Sequence, residues 1–399
     1  MKDIMMGASS TEQLFPNYGE RALKFVRGEG SYLYDELGVK YLDLTAGIGV
    51  CQLGHAPAAV KAALVEQLDK LWHTSNLHRI EPQERLAAKL AEITGLDCAF
   101  FANSGAEANE AAIKLARRYQ QRVRGEDRYE IITFKKSFHG RTLATLTATG
   151  QEKVQDGFAP LPAGFVTIAA GDLELLEATI SDKTAAIMFE LIQGEGGVIP
   201  MEDAWVHGAA RLAKDHGLLL IVDEVQTGMG RTGEWLACHG YGLEPDVVTL
   251  AKGLGSGFPV GAMLAKGTVR DALAPGSHGS TFGGNHLAMT AGLATIAALE
   301  EGDVLANVRR LEPYLFDRLR SELAGLDDFV AVSGKGLMVG ITFAKPVADL
   351  VKICRDKQLL VLVAGPNVIR LLPPLNITES ELASGLDILI EGVKEWLIK

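Results

Sequence analysis

The chain has 399 residues, 47% hydrophobic and 22% charged, which is enough to bury a large core and to build two domains. A net charge of −11 and a pI near 5.4 argue against nucleic acid and against an anionic membrane surface as partners. No run approaches the length of a membrane span, and the opening MKDIMMGASSTEQLFPNYGER lacks the apolar core and cleavage pattern of a secretory signal. Cys51, Cys98, Cys238 and Cys354 are scattered, without zinc or redox spacing, which fits a reduced, cytoplasmic protein. The nine histidines form no HExxH-type pair, so no metal site is expected.

Taken in chain order, SYLYDELGVKYLDLT opens with a short strand pattern. CAFFAN (98–103) reads as a strand, after which Ala108, Ala111, Ala112, Leu115, Ala116 and Tyr119 recur at helical spacing. EIITF, AAIMFE, LLLIVD and VVTLA follow as buried strands, with helical segments such as 205–215 between some of them. Such alternation predicts a mostly parallel sheet covered on both faces. Beyond it, two amphipathic stretches (287–300 and 303–324) predict helices. FVAVSGKGLMVGITF and VLVAGPNVIRLLPP are interrupted by glycines and by Pro366–Asn367, as in a small, partly antiparallel sheet. Thr378 with Glu381 forms a capping box that opens a last helix. The expected organisation is a large α/β domain over 51–286 and a small α+β domain built from both ends, 1–50 and 287–399.

Two strand ends carry chemistry. LLLIVDEVQTG places Asp223 at the tip of one apolar run, and DVVTLAK places Lys252 at the end of another. In an open parallel sheet, ligands bind beyond the carboxyl ends of the strands. One small molecule asks for both an amine and a carboxylate there. Pyridoxal phosphate takes a lysine as its Schiff-base partner and an acid beside its pyridine nitrogen. Either residue alone also reads as an ordinary strand-end turn. NSGAEANEAA offers a phosphate cradle, because its strand runs through Ser104, Gly105 and Ala106 straight into a helix, whose free N-terminal amides and dipole favour an anion. The bland alternative is a serine N-cap. In SFHGRT, Phe138 can stack on a planar ring or sit in the core, and Arg141 can grip a carboxylate or stay solvated. GLGSG invites a dinucleotide-binding reading, but FPVGAMLA (258–265) after it looks like a strand where that fingerprint needs a helix. The glycines read better as a reversing turn. A non-catalytic binding protein would have no need of the lysine and the aspartate.

NSGAEANEAAIKLAR, SFHGRTLATLTATG, ELIQGEGGVIP, LLIVDEVQTGMGRTG, TLAKGLGSGFPVGA, HGSTFGGNHLA and VIRLLPPLNIT occur in that order. From about Tyr18 to its end the chain resembles the class III aminotransferases of the type I pyridoxal phosphate fold. The resemblance implies that fold, with a mostly parallel seven-stranded sheet and a small α+β domain. It also implies pyridoxal 5′-phosphate as cofactor and a homodimer with shared sites. Lys252 would be the Schiff-base lysine and the proton carrier, and Asp223 would face the ring nitrogen. Gln226 would lie near the ring hydroxyl, Phe138 and Val225 would cover the ring faces, and Glu224 would join these contacts. Ser104, Gly105 and Ala106 would hold the phosphate, with Thr281 reaching over from the partner subunit. Arg141 and Ser280 would bind the amino donor. Glu195 and Arg370 would form a pair serving the two substrates' different demands.

The reaction implied is transfer of the terminal amine of N2-acetyl-L-ornithine to 2-oxoglutarate. Relatives use ornithine, 4-aminobutyrate, succinylornithine or succinyldiaminopimelate by the same chemistry. Members acting on free ornithine carry a tyrosine where this chain has Ile48, in TAGIGVCQLGH. That tyrosine meets the α-amino group. Isoleucine leaves such an ammonium unpaired, which favours an acylated donor or 4-aminobutyrate.

Overall fold

A computed structural model describes residues 13–19 and 21–398, so most of the opening segment read for a signal lies outside the described residues. The central sheet has seven strands: β1 (Cys98–Ala102), β2 (Glu130–Phe134), β3 (Phe165–Ile168), β4 (Thr184–Phe189), β5 (Leu219–Asp223), β6 (Val247–Leu250) and β7 (Gly261–Ala265). Their spatial order is β1-β7-β6-β5-β4-β2-β3. All run parallel except β7, which is antiparallel to both β6 and β1. The expected strands lie within a residue or so of their sequence runs, apart from FPVGAMLA, where only Gly261–Ala265 pairs. β3, in the apolar run FVTIAA, is not among the strands expected from the sequence; it lies at the edge of the sheet and is half-buried along its whole length.

Alternation along each strand covers both faces of the sheet. Leu220 and Val222 enter one core with Val248, Phe189 and Trp205. Leu219 and Ile221 enter another with Val247 and with Ala111, Ala112 and Leu115 of the Gly105–Arg118 helix. GLGSG between β6 and β7 is a reversing turn: a Cβ on Gly255 would lie 2.1 Å from the Phe258 carbonyl oxygen, and Gly257 has φ +114°.

Both ends of the chain contribute to one small sheet. Phe25–Glu29, Tyr32–Asp35 and Lys40–Asp43 pair antiparallel, and Leu359–Leu360 adds a parallel fourth strand. A further antiparallel sheet joins Phe329–Lys335, Met338–Phe343, Val368–Leu371 and Leu362–Val363, with Arg370 set beside Gly340. Helices His286–Glu301 and Val304–Leu323 precede it. The closing helix begins with the expected capping box, Thr378 N–H donating to Glu381 Oε2 at 2.9 Å and Glu381 N–H to Thr378 Oγ1 at 3.2 Å. A short hairpin, Ile192–Gln193 with Ile199–Pro200, carries Glu195 in its connecting loop.

Candidate active site

Strand parity explains why the site lies where it does. Asp223 follows Leu219 and Ile221 on the side of β5 that faces the Gly105–Arg118 helix, and Thr249 follows Val247 on the neighbouring strand. Asn109 occupies the same side of that helix, so three polar groups meet in an apolar layer. Asn109 Nδ2 donates to Asp223 Oδ2 at 2.8 Å and to the His139 carbonyl at 2.7 Å, while Thr249 Oγ1 donates to Asn109 Oδ1 at 2.6 Å. His139 Nδ1 lies 2.8 Å from the same Asp223 oxygen, and Val225 N–H reaches the other at 3.0 Å. Asp223 is 3% exposed, so its carboxylate is clamped and cannot swing.

Asn109, His139, Asp223 and Val225 border a cavity of about 430 Å³, which Lys252 and Glu190 also line. Lys252 stands just past β6, with φ +37°, an unusual backbone state for a lysine. Burial, assisted by Arg370 and opposed by the Glu195 carboxylate, pushes its ammonium down to about 8. Glu190, at the end of β4, is raised to about 7 by burial and by the Asp223 charge, against the pull of His139. Burial draws the His139 imidazole down, yet the bond to Asp223 and the nearby carboxylates raise it overall. Its Nε2 has no hydrogen-bond partner.

Ser104 caps the Gly105–Arg118 helix, its Oγ accepting from Glu107 N–H at 3.2 Å, while Glu107 Oε2 accepts from Asn103 N–H at 2.6 Å. The amides of Gly105 and Ala106 start the helix and have no acceptor within it. A Cβ on Gly105 would meet Val225 Cγ1 at 2.8 Å, so only glycine lets helix and strand close here. Phe138 and Arg141 line the cavity too, with the guanidinium carbon 5.4 Å from the Phe138 ring centroid.

Arg370 and Glu195 meet at 2.5 Å, although one comes from the small sheet and the other from the hairpin loop. Arg370 is 2% exposed; it also donates to Gly194 O at 3.1 Å and to Gln226 Oε1 at 3.2 Å. Burial works to raise the Glu195 carboxyl, but the Arg370 charge holds it below its usual range. Gln226, expected near a ring hydroxyl, lines the cavity while its amide is engaged by this pair.

Five expected residues do not line this cavity: Glu195 and Arg370 adjoin it through Gln226, and Glu224, Ser280 and Thr281 lie elsewhere. Glu224 points away, because strand alternation turns it to the other side of the sheet: its carboxylate accepts from Thr227 Oγ1 at 2.7 Å and from the Ala237 and Cys238 amides at 2.8 Å. Ser280 and Thr281 do not line this cavity in their own chain. Ser280 Oγ instead accepts from Asn103 Nδ2 at 3.3 Å and from Gly283 N–H at 2.9 Å. Asn109, Thr249 and Glu190 have no role assigned from the sequence, yet the structure brings them to the site. The signals are a polar residue on an alanine-rich helix face, a threonine at an inward strand position, and an acid closing the AAIMFE run.

The residues fit pyridoxal 5′-phosphate: a buried, clamped acceptor, unpaired amides at a helix start, a lysine lowered toward neutrality, and apolar Phe138 and Val225 in one cavity. A family model for class III aminotransferases matches residues 16–393. The acetylornithine aminotransferase of Oceanobacillus iheyensis is 47% identical over 380 residues, 95% of this chain and 94% of its own length. That of Streptococcus mutans is 49% identical over 379 residues, 95% and 98% of the two chains. Among solved structures, N-acetylornithine aminotransferase from Stenotrophomonas maltophilia superposes with a TM-score of 0.83 at 37% identity, covering 96% of this chain and 98% of that one. Ornithine aminotransferase from Toxoplasma gondii gives 0.92 at 31% identity, covering 96% and 93%. Motifs, cavity and relatives agree: the chain belongs to the class III aminotransferases, enzymes that work with pyridoxal phosphate.

Proposed function

We propose that the protein transfers the terminal amine of N2-acetyl-L-ornithine to 2-oxoglutarate, giving N-acetylglutamate 5-semialdehyde and L-glutamate, a step of arginine biosynthesis. The observation that carries this reading is the Glu195–Arg370 pair beside Lys252. A buried arginine suits the α-carboxylate of glutamate, and a carboxylate that can pair with it or swing away lets the same place accept the uncharged chain of an acylated ornithine. The relatives named acetylornithine aminotransferase, 44–49% identical over most of the chain, support the donor. So does Ile48, whose apolar side chain gives a free α-ammonium no partner.

When bound, the cofactor supplies a ring that accepts the electrons left as a proton leaves the amine-bearing carbon. Lys252 holds and moves that proton, and its lowered affinity for protons keeps it competent near neutral pH. Asp223, fixed by Asn109 and His139, would present its carboxylate to the ring nitrogen. Ser104 and the amides of Gly105 and Ala106 would take the phosphate, Phe138 and Val225 would pack on the ring, and Gln226 lines the same cavity. Arg141 receives the donor's carboxylate, with Ser280 assisting from the second subunit of the dimer.

The protein acts as a cytoplasmic homodimer in this reading, with Thr281 completing the partner's site. Trp72, Leu77 and Phe282 support a mating face: they are 61%, 90% and 61% exposed, and Asn76 ties their segments together by donating to Ser280 O and Gly283 O. Among the described residues no helix is long and apolar enough to cross a membrane. A large domain over 51–286 and a small one from 1–50 and 287–399 agree with the sheet that joins Lys40–Asp43 to Leu359–Leu360.

Single-turnover exchange with a panel of donors tests the substrate. Acetylornithine should react much faster than ornithine or 4-aminobutyrate, and a preference for free ornithine or 4-aminobutyrate would overturn the assignment.

A further inference from the structure

Glu190 touches two loops that do different work. Its Oε2 accepts from the Phe138 amide at 2.9 Å, and its Oε1 from the Gly194 amide at 3.4 Å. Phe138 belongs to the loop after β2; Gly194 precedes Glu195, and its carbonyl takes a hydrogen bond from Arg370 at 3.1 Å. One chain of contacts therefore runs from the Arg370 guanidinium through Gly194 and the Glu190 carboxylate to the amide of the cavity's aromatic. The loops touch elsewhere as well. Gln193 Nε2 donates to Lys135 O at 2.9 Å, and a Cβ on Gly196 would come within 2.4 Å of Lys136 O. Backbones this close cannot shift independently, because packed interiors pass displacement on. Glu190 is the ionisable member of the contact, 5% exposed and facing the cavity.

We propose that Glu190 is a positioning residue that couples the Glu195–Arg370 pair to the placement of Phe138, so that the gate and the aromatic wall move together. The proposal rests on the gate reading above. Its geometric core is the two-pronged bridge: glutamate has the reach to accept from both amides. Aspartate keeps the charge but is one methylene too short. Glutamine keeps the length but must turn an NH2 group toward one of the two N–H donors.

The test is a cycle of Glu195→Gln, Glu190→Gln and the double variant in the holoenzyme, with Glu190→Asp as a second arm. Visible circular dichroism of the bound cofactor and the ratio of the two half-reaction rates are both read. Coupling predicts that Glu195→Gln alters the dichroism and the ratio in the wild-type background, and that both changes shrink by more than about threefold when Glu190 is Gln or Asp. Multiplicative effects within about twofold, with the dichroism change intact in the Glu190 variants, would overturn it. Retained coupling in Glu190→Asp would overturn the bridge by showing that charge alone suffices. The dichroism reads coupling whichever amine donor is used, so failure of the substrate assignment is told apart from failure of this proposal.

Discussion

Lys252 and its neighbours make predictions that concern single groups. With the ammonium lowered from 10.5 to about 8, the cofactor-free protein should show Lys252 labelled by reductive methylation with a midpoint near pH 8; a midpoint near 10 would refute the local field described here. The sign for stability follows from the direction of that shift. A group with a depressed folded value contributes stability above its unfolded value and loses it as pH falls through the folded one. Lys252→Met should therefore stabilise the apoprotein at pH 7, with the gain shrinking as pH rises from 8 toward 10.5, as read from denaturant midpoints. Glu195 and Arg370 should separate the half-reactions. Glu195→Gln should slow exchange with acetylornithine far more than with glutamate. Arg370→Ala should do the reverse, by about 1.5–3 kcal/mol for a lost charged hydrogen-bond partner, roughly 10- to 100-fold. Equal losses in both half-reactions would mean that the pair is only structural.

At the scale of elements, the turn from β1 into the Gly105–Arg118 helix makes the clearest case. A Cβ at Gly105 would press on Val225 at 2.8 Å, which pushes apart the two elements that flank the phosphate cradle. Alanine is the better helix former by about 1 kcal/mol, and that offsets part of the overpacking in overall stability. Gly105→Ala should therefore lower the apoprotein melting temperature slightly while raising the cofactor dissociation constant on the order of tenfold. Unchanged affinity would show that the cradle does not depend on this closeness. The same element shows what a sequence can disclose. The alanine stripe and the Ser-Gly step make helix and cap readable, and apolar runs ending in Asp223 and Lys252 make the strands readable. Asn109, on the same stripe, was passed over because its partners Asp223, Thr249 and His139 are 114, 140 and 30 residues away, and only the assembled sheet brings them within hydrogen-bond reach. Glu224 was misplaced for a related reason. Adjacent positions of one strand end point to opposite faces, so motif membership with Asp223 says nothing about the side it serves. The Glu195–Arg370 contact spans 175 residues and two sheets, and resemblance, not periodicity, is what suggested it.

At the scale of the whole molecule, one chain does not account for every residue that the family pattern brings to the site. Thr281 is exposed and does not line its own chain's cavity, and it lies in a segment pinned beside Trp72 and Leu77. Isolated large apolar residues on a surface need no explanation, but three on adjoining segments mark a face that a second subunit can cover. In a two-fold dimer the same patch meets itself, so a residue that reaches across from one subunit does so from both. Subunit mixing tests this directly. Lys252→Ala chains are combined with chains carrying a disabling substitution at Thr281, and the pair is unfolded and refolded together. In a hybrid dimer one site then takes Lys252 from the Thr281 variant and Thr281 from the Lys252 variant, and is wild type throughout, while the other site holds both defects. Random pairing should restore about a quarter of all sites. An equivalent mixture of Lys252→Ala with an inactive Arg141 variant should restore none, because Arg141 and Lys252 line the same chain's cavity and each hybrid site keeps one defect. No recovery with Thr281 despite hybrid dimers seen by native mass spectrometry would mean that each chain builds its site alone, and recovery in the Arg141 mixture would mean that Arg141 and Lys252 of one site come from different chains.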